Sequence, residues 1–332
     1  MTVRRASNRN SNSRLVGDLE GAYGEDNPTM LLSVGCEFIY TSPVPTPAVA
    51  LVRPRPDPAH RVLWEVWKTT PETPHHEYLD LFGNRCERLT LPDGETALVY
   101  DAVVEVSGDP DEVNLNAQAV PIADLPDDLL VYTLSSRYCP SETMAATAWR
   151  LFGQVPPGWG QVQAICDWIH ANIEYGRLHS TPSTTALDVY VASGGMCRDF
   201  AHLAITFCRA LSIPARYVFG YMPDIGVPGP FPPMDFHAWF EVWLGDRWWT
   251  FDARFNTPRI GRIPIGVGRD AVDVAMMTTY GPAQFQRMVV WTDEVDSADP
   301  PHDNEKAARG THLQQSEGLR IGAERGDAGR VR

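Results

Sequence analysis

Two glycines, Gly194 and Gly195, run directly into Met196-Cys197-Arg198-Asp199-Phe200-Ala201-His202, where a helical pattern begins. Glycine lets the backbone turn sharply and leaves little bulk around the side chain that follows. The first backbone N–H groups of a helix have no internal acceptor, so the helix start carries partial positive charge. A cysteine there is expected to ionise below the free value of about 8.5, which makes Cys197 a candidate nucleophile. The helix should run from Cys197 to about Leu211 and end before Pro214. Cys208 falls eleven residues after Cys197, near three full turns, and reads as a core residue on the same face.

Two later residues complete a reactive set. His237 opens Phe236-His237-Ala238-Trp239-Phe240-Glu241-Val242-Trp243-Leu244, a β-rich run with partial alternation. Gly245-Asp246-Arg247 makes a turn, and Arg247-Trp248-Trp249-Thr250-Phe251-Asp252 returns as a second strand. The hairpin brings the start of one strand near the end of the other, about 5 Å apart for opposed residues. His237 can then take the thiol proton while Asp252 fixes the ring tautomer and favours the imidazolium.

These motifs resemble the core of the transglutaminase-like superfamily. The resemblance rests on Gly195-Met196-Cys197-Arg198-Asp199-Phe200-Ala201-His202-Leu203, Leu211 to Tyr221, His237-Ala238-Trp239-Phe240-Glu241-Val242 and Trp249-Thr250-Phe251-Asp252, in that order. It runs from about Val162 to Asn256. The β-rich stretch upstream, with Leu134-Ser135-Ser136-Arg137-Tyr138-Cys139, resembles the bacterial transglutaminase-like N-terminal region. The resemblance implies Cys197 as nucleophile, His237 as general base and acid, and Asp252 as the third member. It implies an α+β fold: an N-terminal antiparallel β-sandwich followed by a papain-like core, with a central helix packed on an antiparallel sheet. It also implies cysteine-dependent acyl transfer on amide bonds of peptides or proteins through a thioester. Hydrolysis is slightly favoured over transfer to an amine, because water is always present and an amine acceptor needs a second site that excludes it. A non-catalytic peptide-binding module is the rival class, since family members include both. The calcium sites of the animal cross-linking enzymes lie outside the matched region, and no counterpart is evident.

Composition narrows the partners. With a net charge of −14, nucleic acid and anionic membranes are poor matches. Cysteines 36, 86, 139, 166, 197 and 208 form no CxxC pair or metal-ligand spacing, so no metal or other cofactor is expected. Free thiols, a polar basic Met1–Arg14 unlike a secretory signal, and no run long enough to span a bilayer lead to a cytoplasmic expectation. The expected partner is a peptide or protein substrate; oligomeric state is left open.

Along the chain, residues 1–28 read as disordered and 29–107 as a β-rich domain. Residues 108–140 read as a Pro- and Asp-rich connector, 141–296 as the catalytic domain and 297–332 as a disordered tail. Helices are expected over Ser141–Phe152, Trp159–Ile173 and Leu187–Ala192. Met222–Asp235, with five prolines and two glycines, reads as a loop at the rim of a cleft. His202 lies about 140° around the helix from Cys197 and reads as structural. Asp199 suits the helix start, with Arg198 as its partner or another carboxylate's. Cys166 reads as core, and His75, His76, His170 and His179 have no assigned role. Trp239, Trp243, Trp248 and Trp249 read first as hairpin packing.

Overall fold

Every second side chain from Leu32 to Tyr40 is packed inward, the period-two pattern of a strand with a core face. In β1 (Thr29–Ser42), Leu32, Val34, Cys36, Phe38 and Tyr40 all point into the core. The structure, a computed structural model, describes residues 29–298 apart from 177, 179 and 230–232. The disorder expected for 1–28 and for nearly all of the tail, together with His179, lies outside the described residues.

After β1 come β2 (Thr46–Ala50), β3 (His60–Thr70), β4 (His75–Leu79), β5 (Arg85–Leu91) and β6 (Gly94–Ser107). The helical region holds α1 (Ser141–Phe152), α2 (Trp159–Asn172), the two-residue β7 (Glu174–Tyr175), α3 (Ala186–Ala192), β8 (Gly194–Gly195) and α4 (Cys197–Ala210). It is followed by β9 (Ala215–Tyr221), β10 (His237–Leu244), β11 (Arg247–Phe251), β12 (Ile263–Gly268), β13 (Met277–Thr279) and β14 (Gln284–Val295). Three four-stranded antiparallel sheets result, ordered β14-β1-β6-β3, β13-β2-β5-β4 and β11-β10-β9-β12. The α+β class is as the motifs imply.

The central helix is α4. Every residue from Asp199 to Arg209 is buried, as befits a helix enclosed on all sides. It packs on α1, α2 and α3 on one side and on β9 and β10 on the other. Phe207, fully buried, meets Phe152, Trp168 and Tyr190 edge to face.

The last two strands depart from the sequence-based division. Residues 277–295, grouped by that reading with the catalytic domain, return to the N-terminal sheets: β14 pairs along β1, and β13 pairs with β2. Gly35 marks a close approach in the first sheet. It faces Trp291 in register, and a Cβ there would lie 2.3 Å from both the indole ring and the Tyr100 carbonyl oxygen. Gly35→Ala is therefore expected to cost about 1–3 kcal/mol of stability in urea unfolding, because a backbone atom blocks the methyl. An unchanged midpoint would contradict this packing of β14 on β1.

Candidate active site

Local signals in the sequence place the nucleophile. Thr185 caps α3 by exchanging hydrogen bonds with Asp188, and α3 ends at Ser193 in the left-handed region (φ 54°). The chain then passes through β8, which pairs in parallel with β7 so that Gly195 lies beside Tyr175. Gly195 is required by contact: a Cβ would meet the Asp199 Cβ at 2.8 Å. Asp199 accepts from the Met196 N–H (2.9 Å) and is clamped by Arg198 Nε and Nη2 at 3.0 and 2.8 Å. Arg198 reaches on to the Thr181 carbonyl and the Ser180 hydroxyl. This knot fixes the first turn of α4, and with it Cys197.

Cys197 is half-buried, and its thiol takes a backbone hydrogen bond from Ala238, the residue after His237. The helix-start argument predicts a low thiol pKa; the fold gives the reverse. Burial pushes it up to about 11, with Arg254 as the strongest opposing charge, while Asp235 and Asp252 add to the rise. At neutral pH the resting nucleophile is thus a thiol that needs a base.

His237 and Asp252 are brought together. His237 Nε2 and Asp252 Oδ2 lie 2.7 Å apart and both residues are buried. They are diagonal across the hairpin and not directly opposed: Phe240 faces Phe251, so Asp252 comes level with Trp239, two residues from His237. Asp252 Oδ1 accepts from the Arg254 and Phe255 N–H groups, turning the chain back toward the imidazole. An ionised Asp252 must accept, so Nε2 carries the proton and Nδ1 keeps its lone pair. Trp239 stacks on the imidazole at 6.3 Å and Phe255 leans on it at 5.1 Å.

Sequence reasoning missed the cations around this pair. Arg262 Nη2 donates to Asp252 Oδ2 (3.1 Å), and its Nε donates to Asp111 at 2.8 Å. Asp111 belongs to the stretch read as a connector and also accepts from the Arg259 N–H. Burial alone would raise the Asp252 pKa, but His237 and Arg262 override it and hold the carboxylate far below its usual range. Burial lowers His237, Asp252 pulls it back up, and Arg262 and Arg254 push it down, leaving it below 6.5. Arg254 Nη1 stands 3.5 Å from His237 Nδ1, and its guanidinium lies over the Tyr175 ring at 3.7 Å. The signal available in the sequence was position: Arg254 is two residues past a candidate carboxylate at a strand end.

Other candidates fall elsewhere. His202 is fully enclosed between Tyr138 and Tyr217, and its Nε2 accepts from the Ala271 N–H, a bond to a neighbouring loop. Cys166 and Cys208 sit in the core. His170 Nδ1 holds the Arg254 carbonyl (2.8 Å). Among the described residues, no group of three or more His, Cys, Asp or Glu side chains is placed to hold a metal ion. None of the described helices is long and apolar enough to cross a membrane.

Residues 146–253 match the model of the transglutaminase-like superfamily, and residues 36–107 match that of the bacterial transglutaminase-like N-terminal region. An uncharacterized protein of Mycobacterium leprae is 28% identical over 248 residues, which span 72% of this chain and 88% of that one. One of Mycobacterium tuberculosis is 28% identical over 215 residues, spanning 59% and 68%. The structure of a proposed cysteine protease from Cytophaga hutchinsonii superposes with a TM-score of 0.73 at 32% identity, covering 82% of this chain and 93% of that chain.

Opposite charges around His237 give opposite shifts. In an NMR titration its midpoint should lie below 6.5, fall further in Asp252→Asn and rise in Arg262→Gln. Shifts of one sign in both variants would contradict this electrostatic account.

Proposed function

The chain belongs to the transglutaminase-like superfamily, and we propose that within it this protein is a cysteine-dependent enzyme that cleaves amide bonds of peptides or proteins. The observation that carries the reading is the buried His237–Asp252 pair at 2.7 Å, with the Cys197 thiol on the backbone of the next residue.

His237 Nδ1 takes the Cys197 proton as the sulfur attacks the substrate carbonyl carbon. The Cys197 N–H, at the start of α4, is a donor for the oxygen that gains charge. The C–N bond breaks, the imidazolium returns its proton to the leaving amine, and a thioester remains. Water then attacks the thioester, gives its proton to His237, and the thiol is restored as the acid leaves. Asp252 keeps Nε2 protonated through both halves and stabilises the transient imidazolium. Because the thiol pKa is raised and that of His237 lowered, the pair rests neutral, and proton transfer accompanies attack.

The six free thiols, five of them buried, suit a reducing compartment, and a cytoplasmic site is proposed on that ground. The acidic net charge supports a peptide or protein substrate over nucleic acid or an anionic membrane.

The test is incubation with casein, with and without a fluorescent primary amine. Release of new amino groups supports hydrolysis; amine incorporation would make it a transferase, and neither would leave a binding module. Cys197→Ala should lower turnover by about 10⁴-fold or more with urea unfolding unchanged. The acid limb of kcat/KM should have its midpoint below 6.5, since a lowered His237 pKa keeps the neutral base to lower pH.

A further inference from the structure

Arg254 is a cation that the fold positions without an ion pair among the described residues. The chain holds 42 acidic side chains against 28 Lys and Arg, yet this guanidinium pairs with no carboxylate among the described residues. Its backbone is fixed twice, by Asp252 Oδ1 on its N–H and by His170 on its carbonyl. Its guanidinium carbon lies over the Tyr175 and Phe255 rings, at 3.7 and 4.5 Å from their centroids. Stacking of this kind restrains the plane and leaves the N–H edges available. Tyr175 is 42% exposed and Arg254 partly so, which places the group at the open side of the site, beside Gly195 and the start of α4. One edge faces His237 Nδ1 at 3.5 Å, the nitrogen that receives the thiol proton. Asp235 contributes an opposing charge near the thiol, but its Oδ1 is turned to the Phe236 N–H.

We propose that Arg254 is a specificity-determining residue that binds a substrate carboxylate next to the amide attacked by Cys197. The carboxylate belongs either to an acidic side chain flanking the scissile bond or to a free C-terminus. A planar fork of N–H donors recognises such a group in two-point fashion. Occupying the fork with an anion also draws it from Nδ1, freeing the lone pair for the thiol proton. This inference rests on Cys197 being the nucleophile.

The test compares alkylation of Cys197 by iodoacetate and by iodoacetamide, reagents alike except for the carboxylate, with mass mapping and glutathione as the free-thiol reference. The iodoacetate-to-iodoacetamide rate ratio at Cys197 should exceed that of glutathione by about tenfold. It should fall to the glutathione value in Arg254→Gln and be partly retained in Arg254→Lys. General damage to the site slows both reagents equally and leaves the ratio unmoved. A wild-type ratio equal to that of glutathione, or one that persists in Arg254→Gln, overturns the proposal while the nucleophile stands. A Cys197 inert to both reagents removes the nucleophile itself. Mapped cuts in casein separate the two sources: internal cuts beside Asp or Glu point to a side chain, stepwise loss of C-terminal residues to the terminus, and cuts without acidic neighbours count against both.

Discussion

A carboxylate enclosed in protein stays ionised only if cations or hydrogen-bond donors meet it, and Asp252 meets that condition through the neutral His237 ring N–H on one side and the Arg262 guanidinium on the other. Arg262 is itself buried and needs a second anion, supplied by Asp111 from a distant part of the chain. The result is a hydrogen-bonded relay, Asp111–Arg262–Asp252–His237, in which two buried carboxylates share one guanidinium and the second also takes the imidazole N–H. The loop 252–262 and the stretch around Asp111 are tied together by this need, with the Asp111 N–H also bonded to the Arg259 carbonyl. What reads as a connector in the sequence is thus part of the support for the base.

Periodicity and turn chemistry made much of the fold legible. The span Ser141–Phe152 is a helix with the bounds its amphipathic pattern gives. The hairpin holding His237 and Asp252 follows from two β-rich runs around Gly245. Local signals stop where the partner is remote. β12 contains Pro264, Gly266 and Gly268, residues that argue against a strand, and its pairing with β9 indeed slips between Pro264 and Gly266. β14 has ordinary strand composition, but nothing nearby in the sequence says that its neighbour is β1.

The thiol shows the same division between local and global causes. A helix start favours a thiolate, and that part of the environment is present. The walls that other elements build around the sulfur act against it and prevail. Asp111 and Arg262 were invisible for a related reason: an arginine in an acidic chain has many possible counter-ions, and only folding selects among them.

The placement of β14 carries a cost during synthesis. β1 lies between β6 and β14 in its sheet, so one flank of an early, strongly apolar strand waits for residues made some 240 positions later. Until β14 has left the ribosome, this flank of β1 presents an unpaired ribbon of N–H and C=O groups to the surrounding medium. Completion of the first sheet therefore waits for β14, and the nascent polypeptide stays adhesive until that strand emerges.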